Sequence, residues 1–494
     1  MPQSPLSAYR VATIQQHEHD LFTHAGVDPY ALMCQAGLAV FTRLRARWPK
    51  AQSLAIAVGP GQNGGDGLVI AKAAIEQGMR VQLVSYKAPI TFTKAAAKAW
   101  QALEQTAAEH NQPNVTQIVA ERSEVPRLVA ASDVLVDAVF GIGLDRPFEG
   151  ASADFFAGLQ QAVTAHDVPV LAVDLPSGLH ADTGRVNAHT LVADETVTFL
   201  GLKPGLLTGV GRAFSGEVHL AELGQPPAAA ADIHVLNAVV SRPSKPTDGH
   251  KGRFGTVVVL AGNQGMSGAA RLAAEAALRC GAGKVIVATH PGHAAMLNLN
   301  RPELMVYPVD DSRDVLKLLA QADALVIGPG LGRDRWTHTV WRALRHFEGP
   351  VVVDADGLHR LGPRSLQDNP SVITPHSGEA AAMLDCTAVE IEYDRIAAVR
   401  KLAEQYRSVA VLKGAGSLIA DAEHLALCAR GTPALATPGS GDVLSGLIGA
   451  LLAGGLEPLP AAEQGVLLHA VAGEICAQHQ GEWGVLASDL FSPN

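Results

Sequence analysis

ATPGSGDVLSG, residues 436–446, holds three glycines, a proline, small hydroxyl residues and one carboxylate, Asp442. An apolar, helix-like run, VLSGLIGALLAG, begins at Val443 and overlaps its end. Backbone N–H groups at a helix start favour a bound phosphate. A carboxylate is an odd neighbour for that anion. The combination makes sense if Asp442 is a base that takes a proton from a hydroxyl as its oxygen attacks a phosphoryl group. The competing reading is a helix N-cap, since Asp is a favoured cap and Gly-Ser is ordinary turn chemistry.

The chain leading to this stretch alternates strands with helical runs. GTVVVLAG (255–262), KVIVATH (284–290), ALVIGPG (324–330), VVVDADG (351–357), SVITPH (371–376) and VAVLKGAGS (409–417) read as strands entering polar or glycine loops, and SGAARLAAEAALRCGAG (267–283) reads as a helix. Such alternation indicates βαβ units around a mainly parallel sheet, with ligands beyond the carboxyl ends of the strands. In VLKGAGS, successive N–H groups at Lys413, Gly414, Ala415 and Gly416 form an anion nest, with the Ser417 hydroxyl beside them. A β-hairpin turn competes, because SLIAD continues as a strand.

The first half repeats the alternation with other loops. SLAIAVG (53–59), RVQLVSY (80–86), VLVDAVFG (134–141), PVLAVDLPSG (169–178) and ETVTFLG (195–201) read as strands, with helices after the first loop and over 93–107. AVGPGQNGGDGLVIAK (57–72) is a glycine loop at a helix start, neither G-x-G-x-x-G nor a P-loop. It suits a phosphate or dinucleotide, or a tight turn with Asp66 as cap. Asp137 stands before a second glycine loop, and Asp174 and Ser177 stand at a third strand end. Three such loops can converge on one pocket. Between the halves, LGQPPAAAAD and SRPSKPTDGHKG carry no apolar period. The organisation expected is therefore two α/β domains, 1–222 and 250–494, joined by a linker over 223–249.

Bulk properties fit this picture. The 494 residues are 48% hydrophobic and 17% charged, which suits a globular protein. A net charge of −10 without basic runs argues against nucleic acid or acidic membranes as partners. Five scattered cysteines form no CxxC pair, which argues against disulfides and structural zinc. MPQSPLSAYR lacks an apolar signal region, and Val443–Leu456 is too short to span a bilayer, so the cytoplasm is the expected location.

The second half resembles the ribokinase superfamily, and within it the NAD(P)H-hydrate dehydratase family. AGNQGMSGAARLAAEAALRCGAG, VIGPGLGR, VVVDADGL, ITPHSGEAAAML, VLKGAGSLIA and TPGSGDVLSGLIGALLAGG carry the likeness. It implies a ribokinase-like three-layer α/β domain that phosphorylates the hydroxyl of hydrated NADH or NADPH (NAD(P)HX), after which phosphate leaves and the ring double bond returns. It places the nucleotide phosphates at Lys413, Gly414, Ala415, Gly416, Ser417 and Gly441, the base at Asp442, and the hydrate at Ala269, Gly332, His376 and Asp442. His376 also reads as a loop histidine satisfied by backbone. Glu379 is either an aid to Mg²⁺ through water or a surface acid at a helix start. A chain with both halves is similar to bacterial members, which use ADP.

NGGDG, VDAVFGIGLDRPFEG and VDLPSG resemble the NAD(P)H-hydrate epimerase family over about residues 8–222. That implies a Rossmann-like domain interconverting the R and S hydrates. Its ligand would meet Gln62, Asn63, Gly64, Gly65 and Asp66, the loop Gly141, Ile142, Gly143, Leu144, Asp145, Arg146 and Pro147, and Asp174. A K⁺ would sit at Asn63, Asp137 and Ser177, with Asp137 also catalytic. Two departures are Gln62, where Asn is frequent, and Cys34 in LMCQAG, where Glu is frequent. A homo-oligomer, tetramer or higher, is expected. The rival reading is a small-molecule hydroxyl kinase fused to a dinucleotide-binding or sensing domain.

Overall fold

A computed structural model describes residues 6–88, 90–120, 123–144, 146–237, 250–363, 365–366 and 369–491. Its contacts divide the chain between Asp232 and Ile233.

A short strand β1 (Leu6–Ala8), which is not part of the N-terminal unit's sheet, opens the described residues, and two helices of the N-terminal unit follow it, Val11–Thr23 and Pro29–Arg47. Next come β2 (Ser53–Val58), β3 (Arg80–Val84), β4 (Val134–Ala138), β5 (Val170–Val173), β6 (Glu195–Phe199) and β7 (Glu217–Ala221). They lie in the order β3-β2-β4-β5-β6-β7 with every neighbour parallel. Alternate residues of β2 enter different cores. Leu54, Ile56 and Val58 join Leu68, Ile70 and Leu103, whereas Ala55 and Ala57 join Phe155, Phe156 and Leu159. Helices therefore cover both faces, which is why these strands read as continuous apolar runs. Strand order reverses at β2, with β3 on one side and β4 on the other, so the loops after β2 and β4 flank a crevice.

The C-terminal unit contains β8 (Ile233–Leu236), β9 (Thr256–Leu260), β10 (Lys284–Thr289), β11 (Met305–Pro308), β12 (Ala324–Ile327), β13 (Val351–Val353) and β14 (Ser371–Ile373). The hairpin strands β15 (Val409–Leu412), β16 (Leu418–Ala420) and β17 (Leu425–Cys428) follow. The order is β8-β17-β16-β15-β14-β13-β12-β9-β10-β11, parallel except where β16 meets β15 and β17. A second reversal falls between β9 and β12. The helices Ser267–Arg279 and Ser440–Ala453 pack closely enough that a Cβ on Gly446 would stand 2.0 Å from the Ala273 carbonyl oxygen. That contact explains glycines inside a helix where they otherwise cost about 1 kcal/mol each.

The stretch 223–249 is not linker throughout. β8 lies inside it and pairs in parallel with β17, burying Ile233 and Val235. Four residues with two inward side chains are too short a pattern to stand out among prolines and alanines. Residues 238–249 lie outside the described residues.

Candidate functional site

In the C-terminal unit, β15 delivers Lys413 and the turn Gly414–Gly416 before the chain reverses into β16, so the hairpin reading of VLKGAGS also holds. Gly414 has φ +144, and a Cβ there would come 2.8 Å from Arg395 Nη2. Arg395 is fully buried beneath the turn, donating at 3.2 Å to the carbonyls of Leu412 and Lys413 and at 2.6 Å to Glu392. A glycine at this position keeps the turn's backbone unobstructed above a rigid guanidinium. The Ser417 hydroxyl donates to the Gly414 carbonyl at 3.2 Å, closing the loop.

Helix Ser440–Ala453 starts beside this turn. Gly439 is its N-cap, with no side-chain cap bond, and Asp442 lies in the first turn, so Asp442 is not the cap. A Cβ on Gly441 would lie 3.3 Å from Lys413 Nζ. Lys413 donates to Asp354 at 2.7 Å and stands 3.8 Å from Glu379. Burial first, then the Asp354 charge, pushes Asp442 up to about 7 against the pull of Lys413; Asp356 and Glu379 push the same way. Burial alone pulls Lys413 down, but Asp354, Glu379 and Asp442 more than reverse it. Asp442 therefore titrates near neutrality beside an ammonium that stays charged, which suits a base next to phosphate. Behind it, His469 Nε2 meets Ser440 Oγ at 2.9 Å, and burial pushes that histidine down to about 4, so it is neutral.

Ala269 and Gly332 sit at the crevice between β9 and β12. A Cβ on Gly330 would touch Ala269 Cβ at 3.0 Å, and the Gly332 N–H donates to Asp356 at 2.9 Å. His376 is the N-cap of helix Ser377–Leu384, its Nδ1 accepting from Gly378 and Glu379 at 3.0 and 3.3 Å. Those bonds put the proton on Nε2, the nitrogen of an imidazole that is 60% exposed. The reading of His376 as a histidine satisfied by backbone describes Nδ1, while Nε2 stands 3.5 Å from Glu379 Oε1. Glu379 is not a surface acid. Its side chain is 11% exposed and faces Lys413 while closing the capping box.

The N-terminal unit has a cavity of about 500 Å³ at its crevice, lined by Gln62, Asn63, Asp66, Gly141, Ile142, Gly143, Leu144 and Asp174 among the expected residues. Gly64 and Gly65 are instead buried in helix Gln62–Glu76, against Gly59 and Met33. Arg146 and Pro147 are exposed and off the wall, and Asp145 lies outside the described residues. Asp66 falls in the second turn of that helix and caps nothing.

Asp174 adopts φ +65 and accepts from Lys203 Nζ at 2.7 Å and Thr198 Oγ1 at 3.0 Å. Lys203 is fully buried and also donates to Thr198 and the Phe199 carbonyl. Burial, then the Asp174 charge, pushes Asp66 and Glu18 above the usual carboxylate range. Asp137 is not on the wall. It is fully buried, with its oxygens accepting from the Ser177 N–H at 2.8 Å, the Ser177 hydroxyl at 2.6 Å and the Val139 N–H at 3.4 Å. Burial pushes it up to about 6. A direct proton-transfer role needs contact with the ligand, and the wall carboxylates are Glu18, Asp66 and Asp174. Glu18 escaped sequence reading because it lies in a helix ahead of the first glycine loop, and Lys203, between Gly201 and Gly205 after β6, because a lysine in a loop reads as solvated.

Among the described residues, Glu195, Glu217 and His219 also gather closely enough for an ion, but Arg43 and Arg47 already neutralise Glu195. No helix of the described residues is long and apolar enough to cross a membrane.

Residues 257–493 match the family described as NAD(P)H-hydrate dehydratase, and residues 29–205 match the YjeF-related protein N-terminus. The bifunctional NAD(P)H-hydrate repair enzyme Nnr of Coxiella burnetii is 39% identical, covering 95% of each chain. The enzyme of the same name from Escherichia coli is 37% identical over 99% of this chain and 93% of its own. The solved ADP/ATP-dependent NAD(P)H-hydrate dehydratase of Bacillus subtilis, co-crystallised with ATP and Mg²⁺, is 30% identical, covering 51% of this chain and 91% of that one, with a TM-score of 0.47. Both halves match along nearly their whole length, and the chain belongs to the family of bifunctional NAD(P)H-hydrate repair enzymes.

Proposed function

We propose that the C-terminal unit dehydrates S-NAD(P)HX with ADP, giving NAD(P)H, AMP and phosphate, and that the N-terminal unit interconverts the R and S hydrates. The observation that carries the first half is Asp442, titrating near neutrality in the first turn of a helix whose Gly441 abuts Lys413. In that geometry Asp442 takes the hydroxyl proton as the oxygen attacks the β-phosphorus of ADP. The bond to AMP breaks, and Lys413 and the N–H groups of Gly414, Ala415, Gly416 and Gly441 hold the phosphate oxygens. The ring nitrogen then expels the phosphate, and loss of a proton from the neighbouring carbon restores the double bond. Ala269, Gly332 and the His376 Nε2–H orient the hydrate.

The carboxylates of Asp354, Asp356, Glu379 and Asp442 outnumber the cations beside them, Lys413 and Arg333, so the site carries negative charge that an Mg²⁺ arriving with the nucleotide would offset. Glu379 would hold it through water, and the ion would neutralise charge on the phosphates. In the N-terminal unit, Asp137 has no cationic side chain as a partner among the described residues, and its carboxylate and the amide oxygen of Asn63 are oxygen donors. These residues with Ser177 fit a hard monovalent cation such as K⁺. Asp137 then acts by holding the cation and the loop after β4, while Asp174 and Asp66 face the hydrate, whose ring opens at the C–N bond as its hydroxyl loses a proton and the ring nitrogen gains one, then re-closes on the other face.

The test is direct. The protein with ADP, Mg²⁺ and S-NADHX restores NADH absorbance, and a stable phosphorylated alcohol would instead indicate an ordinary kinase. R-to-S conversion, followed by chromatography, is K⁺-dependent and falls at least tenfold in Asn63→Ala and Asp137→Asn. Unchanged epimerisation in both variants would remove the K⁺ assignment, and no epimerisation by the unaltered protein would point to a dinucleotide sensor.

A further inference from the structure

The turn Asp354-Ala355-Asp356-Gly357 follows β13, and its two carboxylates diverge. Ala355 adopts φ +47, a left-handed conformation that costs a non-glycine residue about 1–2 kcal/mol. Asp354 is buried. Its Oδ1 accepts from Lys413 Nζ at 2.7 Å, and its Oδ2 accepts from Ser445 Oγ at 2.6 Å. Ser445 lies on the Asp442 helix and also donates to the Gly441 carbonyl at 3.0 Å. One carboxylate thus grips the phosphate turn and the catalytic helix together. Asp356 points to the other loop, where its Oδ2 accepts from the Gly332 N–H at 2.9 Å. That loop presses on the same turn, since a Cβ at Gly328 would stand 1.8 Å from the Asp354 carbonyl oxygen.

We propose that Asp354 and Asp356 are positioning residues for the dehydration step, a single turn that registers the phosphate-holding Lys413 and the hydrate-holding Gly332 against Asp442. The proposal rests on the reading of Asp442 as the base. Two further facts fit it. The charged groups facing Asp442 are Asp354, Lys413, Asp356 and Glu379, and this turn supplies two of the three carboxylates. A left-handed alanine between two buried contacts is kept only where both contacts over-determine it. A plain strand-end cap would need one carboxylate, not two turned to opposite loops.

The experiment compares Asp354→Asn, Asp356→Ala, Asp356→Asn and Asp442→Asn in the full chain, with ADP-dependent dehydration measured from pH 5 to 9. Asp354→Asn keeps the shape but removes a negative charge from beside Asp442 and loosens Lys413. Its kcat falls at least tenfold, and the acid limb of kcat/KM moves down by about one pH unit. Asp356→Ala raises KM for S-NADHX at least fivefold while KM for ADP holds, and Asp356→Asn, which retains an acceptor for Gly332, restores most of it. A purely structural role would lower stability and leave the acid limb and the ratio of the two KM values in place, which overturns the proposal. If Asp442→Asn turns over normally, the reading of the base fails instead. If Asp442→Asn is inactive while Asp354→Asn and Asp356→Ala behave as wild type, that reading stands and only the positioning role is lost.

Discussion

Asp442→Asn should stabilise the C-terminal unit at the pH where it destroys dehydration. Asp442 rises from an ordinary 3.8 to about 7 on folding, chiefly by burial and then by Asp354. The native state therefore binds its proton more tightly than the unfolded chain does. With the folded value above the unfolded one, stability falls as pH rises from about 4 to about 7 and levels off beyond. At about 1.4 kcal/mol for each tenfold step in proton affinity, the full gap is worth roughly 4 kcal/mol at pH 8. Relaxation around a partly exposed carboxyl halves such figures, so roughly 2 kcal/mol is the working expectation. Asparagine fills the same space and does not ionise. Calorimetry on the full chain identifies the C-terminal transition by its upward shift with ADP. The advantage of Asp442→Asn over wild type should be near zero at pH 4 and grow to roughly 2–4 kcal/mol at pH 8. ADP binding should persist and turnover should vanish. An advantage of equal size at pH 4 and pH 8, or a loss of stability at pH 8, would refute the electrostatic reasoning.

Two other perturbations probe the scaffolds of the two sites. Gly414→Ala forces a Cβ to within 2.8 Å of the buried Arg395 guanidinium at φ +144, so ADP affinity should drop at least tenfold by calorimetric titration while the epimerase reaction is untouched. Lys203→Met removes the one cation bonded to Asp174, leaving that carboxylate beside Asp66 and Glu18. The N-terminal unit should lose about 3–5 kcal/mol and epimerisation should be abolished, measured by unfolding and by R-to-S conversion.

The layered fold was legible because both sheets are parallel and covered on two faces. Strands such as Ser53–Val58 and Thr256–Leu260 are buried at every position, and that writes an unbroken apolar run into the sequence. Loops at their carboxyl ends were legible for a related reason, since close backbone approach demands glycine. What stayed hidden lacks both signals. The helices Val11–Thr23 and Pro29–Arg47 supply Ile14, Glu18, Leu32 and Met33 to the cavity, yet their polar and apolar residues give no sharp boundary before the first strand. Lys203 reads as a solvated lysine until Asp174, Thr198 and Phe199 are folded around it. Asp137 was legible as important but not in its role. A strand-end aspartate looks the same in sequence whether it faces the ligand or turns into the wall, and only its three bonds to Ser177 and Val139 decide that.

The two sites treat buried carboxylates in opposite ways, and the difference follows the chemistry asked of each. In the N-terminal cavity, burial and then the charge of Asp174 raise Asp66 and Glu18, while Asp174 keeps the ion pair with Lys203. Inverting the hydrated carbon requires its C–N bond to open, with a proton leaving the hydroxyl and one reaching the ring nitrogen, and to close again on the other face, and in the proposed reaction these wall carboxylates carry those protons. Around Asp442 the same excess of negative charge is answered by Lys413 and a helix start, and further by any cation that accompanies ADP. In the proposed reaction Asp442 must be ionised as phosphate arrives, and a cation accompanying that phosphate would pull a titration close to 7 down toward the ionised form. A kinase of a stable alcohol needs no more than this. The carbinol of the hydrate adds a ring nitrogen that expels phosphate once it is attached, so on the proposed reading phosphoryl-transfer machinery built on Asp442, Lys413 and Gly441 would lead to a double bond without a second set of catalytic side chains.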